Sequence, residues 1–252
     1  MLTQYFSPEY ASTQWVIFAL CAFLTGSAKT GVPGVFLMVV PVMALSIGGK
    51  VSTGFLLPIM IMADIVALIY YRHHVSWKPV FKVMPWLVIG IGIALWVGNT
   101  IDDRQFKIAM ASSVFVCVGL ILFENKVKVG QTLLESKSFY LAFGVIGGFA
   151  TMIGNAASPL IGVYLLMMKL PKNNYISIAA WIFATLNVIK FPLHYFIWET
   201  ITPESLLTNI KLAPFIVLGG ICGFWLVKTI PSDRYRQLII GVTTVSAFLL
   251  LI

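Results

Sequence analysis

Charge is what this chain has least of. Lys, Arg, Asp and Glu make up 10% of its 252 residues, 59% are hydrophobic, and the mean hydropathy is +0.94. A soluble globular domain carries about 25% charge, so this scarcity excludes one and points to a membrane protein built of spanning helices. Acidic residues are the scarcer sign, 9 against 17 basic, for a net charge of +8. That excess would suit nucleic acid, but it lies in short loops between apolar runs, so no nucleic-acid partner is expected. Cysteine is rare as well: Cys21, Cys117 and Cys222 lie far apart in apolar segments without metal-ligand spacing and read as small packing residues. No Gly-x-x-x-x-Gly-Lys-Ser/Thr loop occurs, so no step driven directly by ATP is expected within the chain. His-Glu-x-x-His, Gly-x-Ser-x-Gly and a membrane pair of aspartates are all missing, which argues against an intramembrane enzyme and leaves no metal or cofactor to expect. No Lys or Arg precedes the first hydrophobic run, and similar runs recur to the last residue, so that first run does not read as a removable signal peptide.

What is present is a series of long apolar runs. Six can span a bilayer at about 20 residues each: 51–71, 79–99, 104–123, 174–197, 210–230 and 234–252. Two further stretches, 13–47 and 138–170, are each two short apolar arms around a centre rich in small residues and proline, Lys29–Gly34 and Gly154–Pro159. An arm of about 14 residues reaches only about 21 Å, short of a 30 Å hydrocarbon core, so each stretch reads as a broken or re-entrant helix pair. The order of a broken pair and then three spans occurs twice. Pro85–Phe123 aligns without a gap on Pro214–Ile252 at an offset of 129, and upstream an offset of 123 pairs Gly31 with Gly154 and Asp64 with Asn187. The expected organisation is an external segment 1–12, a first repeat 13–123, a cytoplasmic linker 124–137 and a second repeat 138–252. Ten crossings, or six plus two re-entrant hairpins, both satisfy it.

Loop charge sets an orientation. Lys and Arg concentrate in 72–82, 124–137, 169–172 and 228–236, which the positive-inside rule assigns to the cytoplasm and which leaves both termini external. The basic loop 72–82 has as its counterpart in the second half the acidic turn around Trp198–Glu204. Equivalent loops of opposite charge mean opposite topology, the inverted-repeat plan of secondary transporters, whose substrate binds where broken helices meet. The fold class expected is therefore an all-α polytopic membrane protein with an inverted repeat.

Two lysines fall at membrane depth, Lys29 in Gly26–Gly34 and Lys190 in Asn187–Pro192. An ammonium there costs roughly 2.5–3.5 kcal/mol on insertion scales, so it faces a cavity, a partner or a substrate unless it snorkels or is neutralised. Gly31 and Gly34 allow tight turns, Pro33 breaks the helix, and a helix restarting beyond it aims free N–H groups and its positive dipole end into the break. The second break offers Asn155 and Ser158 in the same geometry. Asn187, Lys190 and His194 share one helix face. Asp64 is the only carboxylate at membrane depth; it either balances a lysine or shuttles a proton. The candidate anion site thus comprises Lys29, Thr30, Gly31, Gly34, Asn155, Ser158, Asn187 and Lys190, with Asp64 for coupling. Among the aromatics, Tyr70, Tyr71, Trp77, Trp86, Trp96, Trp198 and Trp225 suit interfacial belts.

Three motifs in order carry a resemblance: Ala28-Lys29-Thr30-Gly31-Val32-Pro33-Gly34, then Tyr71-Arg72-His73-His74-Val75-Ser76-Trp77 leading to Pro85-Trp86, then Asn187-Val188-Ile189-Lys190-Phe191-Pro192. With the internal repeat, the chain from about residue 13 onward resembles the TauE/SafE-type sulfite exporter family of the toluene sulfonate uptake permease superfamily. The resemblance implies transport of sulfite, sulfonates or related small anions, linked to the proton motive force, across a bacterial inner membrane. Glycine is sparser in both breaks than in many members. The partners expected are a small anionic substrate, protons and the lipid bilayer, with self-association into a homo-oligomer left open. Rival readings are an anion channel and a non-transport membrane assembly or scaffold protein.

Overall fold

The computed structural model describes residues 10–31, 35–124, 136–168 and 170–231, with 234 and 237 as isolated positions. They form ten α-helices and no strand among the described residues: α1 Ser12–Thr30, α2 Phe36–Ile47, α3 Gly49–Tyr71, α4 Trp77–Thr100, α5 Asp103–Glu124, α6 Lys137–Gly154, α7 Ser158–Met167, α8 Lys172–Pro192, α9 Pro203–Lys211 and α10 Ala213–Thr229. Four helical segments are long and apolar enough to cross a bilayer, Gly49–Tyr71, Trp77–Thr100, Lys137–Gly154 and Asn173–Ile197; the pair α9–α10, bent by 49°, raises the number to five. The run expected at 210–230 is thus the second limb of a bent pair, and the run expected at 234–252 falls almost wholly outside the described residues, as does most of the linker 124–137.

Local chemistry sets the helix ends. Ser136 accepts from the Phe139 N–H at the start of α6, Asp102 and Gln105 bond reciprocally at the start of α5, and Thr202 and Ser205 do the same for α9. Gly48, at φ 95°, turns the chain from α2 straight into α3, a conformation closed to most side chains. Past Pro192, α8 continues as a π-helical turn, Leu193–Ile197, with the Trp198 N–H donating to the Leu193 carbonyl.

Polarity is distributed inside out. Leu45, Ile69, Trp96 and Trp225 point outward, while Asp64, Asn187, Lys190 and His194 are buried. An apolar exterior around a polar interior is what a hydrocarbon solvent selects. Tyr71 and Trp198 depart from the interfacial belt expected of them. The Tyr71 hydroxyl donates to the Thr30 carbonyl at 3.3 Å, and Trp198 packs in the interior against Phe106, His194 and the bare face of Gly98.

The two halves exchange partners. The arm α1 lies along α10, the arm α6 lies along α4, and α3 meets α8 at the centre. Close approach is possible because glycines face backbone. A Cβ on Gly26 would strike the Ile216 carbonyl, and one on Gly148 that of Leu87; Gly219 lies against the Phe23 carbonyl as Gly90 lies against that of Val145. The span positions in these pairs keep the offset of 129. The arm positions pair at 122 rather than 123, which sets Lys29 opposite Thr151 in the repeat. At the centre the Asn187 Nδ2 donates to Asp64 Oδ2, so a residue and its own repeat mate touch.

Candidate functional site

A narrow cleft lies between the end of α1 and the break that follows α6. Its first wall comes from Ala28, Lys29 and Gly31 at the end of α1, with Phe36 at the start of α2. The opposite wall is Thr151, Asn155 and Ser158, and α8 closes the third side with a face running from Tyr175 to Asn187. Five of the residues singled out from sequence therefore line one space: Lys29, Gly31, Asn155, Ser158 and Asn187. Thr30 does not line it; its hydroxyl donates to the Gly26 and Gly220 carbonyls and fastens α1 to α10. Gly34, like Pro33, lies outside the described residues. Asp64 and Lys190 stand behind the walls, each one hydrogen bond from a lining residue.

Each break is shaped by its caps. Asn155 ends α6 in the left-handed conformation, φ 52°, and its N–H returns to the Thr151 carbonyl while that of Ala156 returns to the Ala150 carbonyl. Asparagine is one of the few residues besides glycine that accepts this geometry. The sharp turn lets α7 begin three residues later, with Ser158 and the positive end of its dipole at the cleft. The Ser158 hydroxyl is buried and has no hydrogen-bond partner among the described residues. On the first side, Lys29 sits in the last turn of α1, where its charge opposes the partial negative charge of the helix C-terminus.

The two lysines are held differently. Lys29 Nζ makes a 2.8 Å ion pair with Asp64 Oδ1 and lies 4.4 Å from the centre of the Phe183 ring. Asp64 is completed by the Asn187 amide at 2.6 Å. Lys190, 0% exposed, donates to the Thr151 carbonyl at 3.0 Å, the Thr151 hydroxyl at 3.2 Å and the Asn155 Oδ1 at 2.7 Å. All three of its acceptors are neutral. Asn155 in turn donates to the Thr53 carbonyl of α3 at 3.1 Å. The cleft thus combines one balanced ion pair, one cation without a carboxylate acceptor, a helix N-terminus and an unused hydroxyl, an arrangement that favours a small oxyanion.

His194 is fully buried, with Nδ1 2.8 Å from the Thr200 hydroxyl. Sequence spacing put it on the face of Asn187 and Lys190 but gave no sign of Thr200, which reaches it only because the chain turns back after the π-helical turn. Thr151 was also missed as a polar contact. Its place opposite Lys29 in the repeat was the available signal, and the offset of 123 hid it by one residue. No group of three or more His, Cys, Asp or Glu side chains able to hold a metal ion occurs among the described residues.

A family model described as "Sulfite exporter TauE/SafE" matches residues 18–250. The chain belongs to this family. No curated protein and no solved structure matches it.

Proposed function

We propose that this member of the TauE/SafE sulfite exporter family is a secondary transporter that carries sulfite, an organosulfonate or a related small oxyanion out of the cell through the cleft between its two broken helix pairs. The observation that carries this reading is the buried Lys190, hydrogen-bonded only to neutral oxygens of residues that line the cleft. A buried ammonium with neutral acceptors alone leaves a positive potential where a ligand sits, and an anion there offsets its desolvation. Lys29, Asn155, Ser158 and Asn187 supply the donors around the anion, and Gly31 lets the end of α1 lie against the Gly223 backbone of α10. Asp64 holds Lys29 and is the group proposed to couple anion movement to protons.

The halves are proposed to run in opposite directions through a bacterial inner membrane, with both termini external. The opposite charge of equivalent loops supports this, and so does the reciprocal packing of each half's arm on the other half's span. Single cysteines at positions 76 and 204 of a cysteine-free protein are expected to label from opposite faces of sealed vesicles; labelling from one face would end the inverted reading.

The direct test of the substrate class is thermal stabilisation of the purified protein by sulfite, thiosulfate, an alkyl sulfonate and a carboxylate, alongside flux of the same anions in reconstituted vesicles. Stabilisation and saturable flux with the sulfur oxyanions are expected. A protein stabilised by none of them, or a flux that never saturates, would remove the transporter reading in favour of an assembly role or a channel.

A further inference from the structure

The face of α8 that lines the cleft does not end where the cleft ends. Ile176, Ala180, Phe183 and Asn187 line the open space, and the same face continues into Lys190 and then His194, at successive turns. Beyond Asn187 it is polar and sealed: Lys190, His194, Trp198 and Thr200 are all buried. Several buried polar atoms run along this sealed stretch. Lys190 is tied to Asn155 and Thr151, and His194 Nδ1 is tied to Thr200. Among the described residues, His194 Nε2 and Trp198 Nε1 have no hydrogen-bond partner, and neither has Oδ1 of the buried Asn209.

The stretch is fastened to one turn of α3. Asn155 donates to the Thr53 carbonyl, Thr200 closes on the bare face of Gly54, and Asn209 donates to the Phe55 carbonyl at 3.0 Å. Pro58 has no N–H to offer the Gly54 carbonyl, so that turn of α3 is already opened for outside donors. On the cleft side of Lys190 the walls are open. On its far side, toward the end of the molecule that carries Thr100–Phe106 and Trp198–Thr202, they are shut by these side-chain bonds.

Resting on the anion reading above, we propose that Lys190 and His194 form a second oxyanion subsite, sealed in this conformer, which receives the anion from the Lys29–Asn155–Ser158 cleft when Lys190 exchanges its bonds to Thr151 and Asn155 for bonds to the anion. The donors are Lys190 Nζ and, in the tautomer whose Nδ1 accepts from the Thr200 hydroxyl, the His194 Nε2–H one turn on, which suits an anion with at least two acceptor oxygens. Burying an imidazole nitrogen without a partner has a free-energy cost, and a ligand that accepts its proton in another conformer accounts for its retention. The π-helical turn at Leu193–Ile197, directly after Pro192, gives the backbone a second hydrogen-bonding register at the residues that would move.

The test uses the full chain and sulfite. His194→Asn keeps a polar atom near Nδ1, and with it the Thr200 contact, but removes Nε2. His194→Gln does the reverse. With His194→Asn, sulfite-dependent thermal stabilisation should stay within about twofold of wild type while sulfite flux in vesicles falls roughly tenfold or more, and His194→Gln should retain most of the flux. A merely structural role through Thr200 predicts the opposite order, and that order, or wild-type flux in His194→Asn, overturns the subsite. Should His194→Asn fail to fold, a single cysteine at position 200 decides the matter. The subsite requires a membrane-impermeant thiol reagent to reach it from the external face at a rate that sulfite alters severalfold; no labelling with or without sulfite overturns the proposal. Failure of the subsite leaves sulfite binding in the cleft intact, whereas a wild type that sulfite neither stabilises nor crosses removes the cleft reading itself.

Discussion

The two halves solve the burial of one lysine each in opposite ways. In the first half the cation is on the arm and its partner on the span: Lys29 of α1 reaches Asp64 of α3 at 2.8 Å. In the second half the cation is on the span and the acceptors on the arm: Lys190 of α8 reaches Thr151 and Asn155 at the end of α6. The repeat makes the exchange legible, because Thr151 stands where Lys29 does and Asn187 where Asp64 does. On the repeat reading, the two halves differ in how each lysine is partnered. The first half pairs its lysine with a carboxylate, while the second offers its lysine only neutral oxygens, so on the anion reading proposed above the pull comes from Lys190 and the N-terminus of α7 more than from Lys29.

The sharpest way to break this contrast is to unpair the first half. Lys29→Met leaves a buried carboxylate whose only remaining polar partner is the Asn187 amide. Removing one member of a buried pair typically costs about 3–5 kcal/mol, which should appear as a large loss of thermal stability. Asp64→Asn added to Lys29→Met should restore most of it, because no charge is then left unpaired; a double variant as unstable as the single one would show that the pair is not what holds this region. Asp64→Asn alone is the informative third corner. It leaves Lys29 as a second cation without a carboxylate partner, so sulfite affinity should rise while accumulation driven by an imposed pH gradient is lost. Accumulation as in wild type would make Asp64 a structural counter-ion only.

The next effect belongs to the second half. Lys190→Met keeps much of the apolar stem and removes the charge. Hydrogen bonds from a charged donor contribute about 1.5–3 kcal/mol, so sulfite affinity should weaken roughly 10- to 150-fold, measured by ligand-dependent thermal shift. Lys29→Met with Asp64→Asn, which removes the balanced pair as a whole and leaves Lys190 in place, should weaken it less when both proteins are compared with wild type. Equal losses at the two lysines would erase the asymmetry.

Much of this was legible before any coordinates. The central spans and the break at Gly154–Pro159 follow from hydropathy and from glycine and proline placement, whereas α6, read as an arm too short to span, is 18 residues long and apolar enough to cross a bilayer. Lys29, Asn155, Ser158 and Asn187 could be named because a polar residue at membrane depth is costly enough to need a reason. What stayed hidden depends on which faces meet. The pairing of Lys29 with Asp64, rather than with an anion, needs the distance between α1 and α3. The register of the arms needed the backbone contacts of Gly26 and Gly148, because apolar helices align almost equally well one residue apart. Thr30 reads as a polar site residue in sequence and turns out to fasten α1 to α10. Trp198 and Tyr71 have the composition of a belt, but their neighbours, a glycine face and a backbone carbonyl, are supplied only by packing.

The smallest expected effect is also the most specific to the ligand. Ser158 lies at the start of α7 in the second half, and its hydroxyl has no hydrogen-bond partner among the described residues. A hydroxyl that bonds only to the protein would leave an orphaned acceptor or donor when removed; this one would not, so Ser158→Ala should leave the thermal stability of the anion-free protein unchanged or slightly raised. If the hydroxyl donates to the bound anion, its loss removes a neutral-donor hydrogen bond of about 0.5–1.5 kcal/mol, and sulfite affinity should weaken about 2- to 10-fold. The effect should persist in the Lys29→Met, Asp64→Asn background, because the serine and the balanced pair stand on opposite walls of the cleft. It should shrink in Lys190→Met, where the anion is no longer drawn toward the wall that carries Ser158. Ligand titrations of the three backgrounds, each with and without Ser158→Ala, measure this directly, and an affinity that Ser158→Ala leaves unchanged in every background would move the anion away from the α7 N-terminus.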